Sequence, residues 1–497
     1  MADFDLAIIG GGINGAGIAR DAAGRGLRVL LVEQNDLASG TSSASTKLIH
    51  GGLRYLEHYW FRLVHEALAE REVVLRMAPH LVRPIRFVLP MEPGMRPAWM
   101  LRLGLFLYDH LGGRKILPGS RSIDLARDAL GSPLKAGYRQ GFEYSDCQID
   151  DSRLVVLNAL DAAERGAAIR TRTRCVRAER GEIWQLTLET RGRSDSVSAR
   201  ALVNATGPWA GVVEETVLQR PPLRQLRLVK GSHIVVRRLF EHDRGYIFQN
   251  TDGRVVFALP FENDFTLVGT TDSAFSGDPA AVAATPEEIG YLCKVINDHF
   301  RAAITPADVV WSFAGVRSLA DDGSARPQDT PRDYVLAVDR EGAPLITVIG
   351  GKITTFRRLA EAVLDAIAPV LGKRPAWTAN STLPGGDFPI TGIEALVTKT
   401  RAAWPFLSEP HVRRLVGAYG TRVRRILGEP RTFAELGPVM GADLTAAELR
   451  YLVQHEWAQT EDDVLWRRSK LGLRFTRPER AHLATFMAGL IGAGAAL

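Results

Sequence analysis

Asp5-Leu6-Ala7-Ile8-Ile9-Gly10-Gly11-Gly12-Ile13-Asn14-Gly15 decides how the rest of the chain is read. Leu6 to Ile9 is a short apolar run of the buried-strand type, and glycines spaced Gly10-x-Gly12-x-x-Gly15 follow it directly. An Ala-rich segment of helical composition, Ala16 to Gly24, comes next, and a second apolar run, 28–32, ends at Glu33. Each glycine has a job in a nucleotide cradle. Gly10 permits a tight turn, Gly12 lets backbone approach a pyrophosphate, and Gly15 lets helix pack closely on strand. The helix N-terminus then offers free N–H groups and partial positive charge to the phosphates. Glu33 stands about 20 residues on, where a carboxylate accepts hydrogen bonds from ribose hydroxyls and argues against a 2′-phosphate. The fingerprint leaves NAD and FAD both open.

Beyond Glu33, the residues Ser39, Thr41, Ser42, Ser43, Ser45 and Thr46 make a hydroxyl-rich segment. Such a segment suits a loop lying along a bound phosphate or flavin better than a core strand. It runs into Lys47-Leu48-Ile49-His50-Gly51-Gly52-Leu53-Arg54-Tyr55, where His50, Arg54 and Tyr55 sit beside paired glycines with no obvious core purpose.

The 497 residues allow two or three domains with sizeable cores. A formal charge of +6 favours anionic substrates, an acidic membrane face or nucleic acid. Nucleic acid fits least, since zinc spacing, basic heptads and aromatic RNA-binding motifs are all lacking. Cys147, Cys175 and Cys293 are far apart and odd in number, which implies neither a disulfide framework nor a metal cluster and fits a reducing compartment. The first strand begins almost at once, after acids at Asp3 and Asp5, so the N-terminus reads as fold and not as signal peptide. No segment approaches ~18 uninterrupted apolar residues. Membrane contact, if present, must be peripheral or monotopic.

Residues 57–80 are spaced as an amphipathic helix ending at Pro79. In 83–115 the near-continuous apolar run from Trp99 to Tyr108 is flanked by Arg83, Arg86, Arg96, Arg114 and Lys115 and interrupted by Arg102. That pattern suits the headgroup boundary of a membrane; a buried helix with exposed ends is the plainer alternative. A helix over 153–166, short strands near 169–176 and 184–190, and a buried strand 201–207 ending in a glycine turn return to nucleotide-domain character. Short strands at 232–236, 245–249, 255–259 and 265–270 predict an antiparallel layer over the cofactor. A strand at 345–349, Gly350-Gly351 and a helix from near Thr354 repeat the strand, turn and helix logic. Residues 390–497 are helical in pattern, and Glu461-Asp462-Asp463 lacks the ligand spacing of a calcium loop.

Residues 41–57, from Thr41 through His50-Gly51-Gly52 to Glu57, resemble the signature of the FAD-dependent respiratory glycerol-3-phosphate dehydrogenases. Further segments resemble that family across nearly the whole chain: 97–100, 141–146, 204–208, 230–233, 269–272, 315–317 and 350–355. The resemblance implies an α/β fold with a Rossmann-like FAD-binding domain of the D-amino-acid-oxidase or glutathione-reductase type. It would combine residues 1–80, 141–225 and 310–375, with a substrate-binding cap of 81–140 and 226–309 and a C-terminal helical domain of 376–497. FAD would be held by Gly10, Gly12, Gly15, Glu33, Thr41, Ser42, Ser45, Lys47, Ile49, Gly207, Gly351 and Thr354. Glycerol 3-phosphate would be the substrate and a membrane quinone the electron acceptor, at the cytoplasmic face of the inner membrane. A homodimer is compatible with this reading.

Oxidising a secondary alcohol needs a base for the hydroxyl proton, a hydride acceptor, and positive charge near the developing alkoxide. A phosphate monoester also needs lysine or arginine. Candidates in or beside turns are His50, Arg54, Tyr55, His233, Thr270, Arg317, Arg332 and Lys352. His50, Arg54, Arg317 and Lys352 resemble the family's active-site set. His50 is assigned as base with His233 as its alternative, Arg317 beside the reacting carbon, and Arg54, Tyr55, Thr270, Arg332 and Lys352 on the substrate. Ser318, Pro331 and Phe356 depart from the residues usual in the family, and Ser318 predicts a less rigid arginine loop. The rivals are a glycerol-3-phosphate oxidase using oxygen, an amino-acid or amine oxidase of the same fold, and a non-catalytic FAD-binding regulator.

Overall fold

The computed structural model describes residues 2–92, 96–113, 116–250, 252–321, 323 and 333–494, without the side chains of Arg54, Glu57, His58, Ala493 and Gly494. Two large sheets organise these residues.

The first sheet is built on the opening strand, β1 (Phe4–Ile9), with β2 (Val29–Val32) parallel on one side and Arg193–Asn204 parallel on the other. Leu345–Ile349 and Ala168–Arg170 extend it in parallel, and Val335–Asp339 adds an antiparallel edge. Leu6, Ala7, Ile8 and all of Val29–Val32 are buried, as strands covered on both faces must be. Helix α1 (Ile13–Gly24) packs on one face together with Asp151–Glu164 and Phe356–Leu371. The meander Thr173–Arg180, Trp184–Thr190 covers the other, where Trp184, Leu186 and Leu188 are buried.

The second sheet is mostly antiparallel. Leu226–Arg237, Phe265–Gly269, Val255–Phe261 and Gly245–Gln249 pair in that order, close to the spans read from the sequence. Val82–Pro90, Gln140–Ile149 and Val309–Ala320 also belong to it. The expected division placed 141–149 and 310–320 with the first domain, whereas their strands pair within this sheet. The reason is physical: apolar alternation marks a strand, but its partner is fixed by contacts distant in sequence.

The segment 83–115 is likewise not one unit. It contributes a strand, Val82–Pro90, and after Pro97 a helix, Ala98–Leu111. The amphipathic helix read over 57–80 is Phe61–Met77.

Beyond residue 376 the chain forms helices with their own core, among them Val412, Leu415, Leu449, Leu452 and Leu465. A two-stranded ribbon, Val439–Gly441 with Leu444–Thr445, interrupts them. Buried ion pairs tie this unit to the first domain: Arg153 with Glu456, and Arg468 with Asp36.

Candidate active site

Gly10 has φ +112°, and a Cβ there would lie 2.6 Å from the Ala205 carbonyl oxygen, so the turn after β1 needs glycine. A Cβ on Gly15 would lie 1.9 Å from the Gly10 oxygen, which is how helix α1 approaches β1 so closely. Ser42 Oγ accepts from the Ile13 N–H at 2.9 Å, in the first turn of α1. Glu33 is held by backbone: Gly11 N–H donates to Oε2 at 2.7 Å and Asn35 N–H to Oε1 at 2.8 Å.

These groups open onto a cavity of about 820 Å³ whose lining includes Glu33, Gly12, Arg317 and Lys352. Its volume is that of a site for a large organic ligand. Gly10, Gly12, Glu33, Thr41, Ser42, Ser45, Gly207, Gly351 and Thr354 line it, and so do His50, Tyr55, Thr270, Arg317 and Lys352. Glycines at closest approach and a helix N-terminus facing the cavity fit a dinucleotide.

Several polar side chains of the lining lie against one another. Lys352 Nζ lies 3.8 Å from the Tyr55 ring centre. Arg317 Nη1 donates to Asp272 Oδ1 at 2.6 Å. Beneath it is Gly231, where a Cβ would come within 2.6 Å of Thr270 Oγ1 and 2.9 Å of Arg317 Nη2. Glycine at 231 therefore leaves room for the guanidinium. Arg317 was expected in a loop; it lies instead within strand Val309–Ala320, paired with Val229, and Ser318 is buried in the same strand opposite Leu228. Sheet pairing fixes that backbone without a proline.

His50 is carried on the turn after a short strand, with its N–H donating to Thr354 Oγ1 at 3.3 Å. The following Gly51 N–H donates to Tyr108 Oη at 2.9 Å. Tyr108 donates to Asp146 at 2.8 Å, and Arg71 donates to the same carboxylate at 2.7 Å. This buried trio, together with Asp272 and Gly231, was missed in the sequence; the words 141–146, 230–233 and 269–272, which hold Asp146, Gly231 and Asp272, gave a hint.

Four expected site residues stand back from the cavity: Gly15, which packs against the Gly10 carbonyl, and His233, Lys47 and Ile49. His233 is fully buried, stacked on Phe313 at 4.9 Å between ring centres, with Nε2 at 3.0 Å from Thr46 Oγ1. Burial, and then the charges of Arg317 and Lys47, hold its pKa well below the usual imidazole value, so the ring is neutral. Lys47, expected against the cofactor, turns inward with φ +59° and donates to Asp151 at 2.9 Å and to the Ser43 carbonyl at 2.9 Å. Ile49 is core. The Arg54 side chain and Arg332, with Pro331, lie outside the described residues.

Residues 5–357 match the model of the FAD dependent oxidoreductase family, and residues 376–489 match that of the C-terminal domain of alpha-glycerophosphate oxidase. The chain is 52% identical over 493 residues to a glycerol-3-phosphate dehydrogenase of Pseudomonas aeruginosa, covering 97% of this chain and 95% of that one. This chain belongs to the FAD-dependent oxidoreductases, in their glycerol-3-phosphate dehydrogenase branch. Its cofactor is therefore FAD. Aerobic glycerol-3-phosphate dehydrogenase of Escherichia coli K12 is 49% identical, with 98% of each chain covered. D-erythritol 1-phosphate dehydrogenase of Brucella abortus is also 49% identical, with 96% of each covered. The crystal structure of glycerol-3-phosphate dehydrogenase from Bacillus halodurans with FAD has a TM-score of 0.77 and 27% identity, covering 98% of this chain and 90% of that one.

Proposed function

We propose that this enzyme oxidises sn-glycerol 3-phosphate to dihydroxyacetone phosphate and passes the electrons to a membrane quinone. The observation that carries the reading is that His50, Tyr55, Thr270, Arg317 and Lys352 line the same cavity as the dinucleotide cradle. FAD supplies the acceptor for the hydride that leaves C2 of the substrate. His50 takes the hydroxyl proton as the carbonyl forms, and Arg317 stabilises the oxygen as negative charge develops on it. Lys352 holds the phosphate, with Tyr55 beneath its ammonium and Thr270 as a hydroxyl partner. Arg54 joins them by its place in the family's motif, and Arg332 is a further cation for the phosphate. A cationic lining suits a phosphate dianion better than the single carboxylate of an amino acid.

The 49% identity to a D-erythritol 1-phosphate dehydrogenase favours a second reading, since a tetritol phosphate also places a secondary alcohol next to a phosphate-bearing carbon. Turnover with glycerol 3-phosphate and with D-erythritol 1-phosphate, using an artificial electron acceptor, separates the two. The expected result is a kcat/KM higher for glycerol 3-phosphate, with dihydroxyacetone phosphate as product; a preference for the tetritol would reverse the assignment.

The quinone reading is supported by the helix Ala98–Leu111. Its outer face exposes Trp99 (64%), Leu103 (52%) and Phe106 (55%), and Tyr59 and Phe61 are exposed nearby. The helix packs on the turn Leu53–His58 that carries Tyr55, so this apolar face adjoins the substrate site. Large apolar side chains left in water, with Arg62, Arg96 and Arg102 around them, suit peripheral or monotopic contact with an anionic bilayer at the cytoplasmic face. No helix among the described residues is long and apolar enough to cross a membrane. The double substitution Trp99→Ser with Phe106→Ser is expected to remove about 3 kcal/mol of apolar transfer, weakening binding to anionic vesicles about 100-fold while reduction of the flavin by substrate is unchanged. Unaltered vesicle sedimentation would place the contact elsewhere.

A further inference from the structure

We propose that the C-terminal domain retains FAD by gripping both loops that border its adenosine end. The first loop leaves β2 at Glu33 and runs through Asn35 and Asp36 to Ala38, whose φ is +61° and whose N–H returns to the Gly11 oxygen at 3.0 Å. The second follows strand Ala168–Arg170. In it Arg172, at φ +52°, donates its N–H to the Asn35 oxygen at 2.9 Å, and Thr173 donates to the Glu33 oxygen at 2.9 Å. Glu33 and Asn35 from one loop, and Thr173 from the other, line the cavity. Non-glycine residues persist in the left-handed region only when their surroundings hold them there.

A single turn of the C-terminal domain does the holding. The π-helical segment Asp463–Arg468 sends Arg468 onto Asp36, with Nη1 to Oδ2 at 2.6 Å and Nη2 to Oδ1 at 2.8 Å. Arg467 Nε donates to the same carboxylate at 2.6 Å. From the other end of the turn, Asp463 accepts from Arg172 Nη2 at 2.7 and 2.8 Å. Asp36, Asp463 and Arg468 are all fully buried, so removing any one strands a charge away from water. π-Helical turns inside helical segments recur at functional positions, and this one places two arginines and an acid toward two loops more than 130 residues apart in the chain. The C-terminal domain thus acts on the cofactor through Asp36 and Arg172, which are positioning residues. Linkage requires the converse: bound FAD stabilises the C-terminal domain by the same coupling.

The test uses the purified holoenzyme, follows FAD release after dilution by flavin fluorescence, and is independent of which alcohol is the substrate. Arg172→Met, at a partly exposed arginine, is expected to speed release about 10-fold, with Arg172→Lys recovering part of the loss. Arg468→Met is expected to speed release more. The absorbance spectrum of the retained flavin and its rate of reduction by dithionite should be unchanged, and the rise in Tm on adding FAD to apoprotein should shrink. A merely structural role would lower Tm equally with and without FAD and leave release alone. Should Arg468→Met fail to fold, Arg172→Met decides: release within twofold of the parent overturns the proposal.

Discussion

Replacing His50 by alanine is expected to slow reduction of the bound flavin by glycerol 3-phosphate by about 10²- to 10⁴-fold, the range over which a positioned general base acts. The FAD spectrum should be retained, because His50 touches the cradle through its backbone N–H, donated to Thr354 Oγ1, which alanine keeps. Anaerobic single-turnover absorbance isolates this half-reaction from everything that follows. His233→Ala is the matched control. Its imidazole is buried behind Thr46 and against Phe313, so the expected loss is of stability and of the Thr46 position, with a smaller effect on the chemical step. If His233→Ala abolished flavin reduction and His50→Ala left it intact, the base assignment would move to His233 acting through the Thr46 hydroxyl.

Asp151→Ala is expected to cost about 3–5 kcal/mol of stability, the penalty for leaving the partner of a buried ion pair uncompensated. Lys47 is 1% exposed, and Asp151 provides its counter-charge at 2.9 Å. Burial favours the neutral amine and lowers the Lys47 pKa, and the Asp151 carboxylate opposes that shift. Asp151 also accepts from Ser45 Oγ at 2.7 Å, so the same substitution loosens the loop that lines the cofactor cavity. Replacing both partners, Lys47→Met with Asp151→Leu, should recover most of the loss, since an apolar pair of similar volume needs no counter-charge. Urea denaturation midpoints of the three proteins measure this. Equal destabilisation by the single and double changes would show that Asp151 acts through Ser45 and not through Lys47.

What the sequence revealed follows the distance over which each signal acts. The Gly10-x-Gly12-x-x-Gly15 turn, its flanking strands and Glu33 are local, and the first sheet is built on them. The turns bearing His50, Tyr55, Thr270 and Lys352 were visible because reactive side chains beside glycine and threonine have little use in a core, and all four line the cavity. His233 lies off the cavity lining for a definable reason. It lies two residues after Gly231 on the same strand, hence on the same face. Gly231 reaches the cavity, whereas loop 41–47 lies over His233. Lys47, at φ +59°, pairs with the buried Asp151 and is not in the cavity lining that holds Ser42 and Ser45. Asp272, Asp151 and the Arg71–Tyr108–Asp146 trio act across 38 to 106 residues of chain, and no local pattern encodes such pairings.

The most direct measurement is an anaerobic absorbance spectrum of the purified holoenzyme before and after glycerol 3-phosphate, followed by a soluble quinone. Bleaching of the flavin bands by the substrate and their return with quinone is the expected result. A flavin that keeps its oxidised spectrum in excess glycerol 3-phosphate would contradict it.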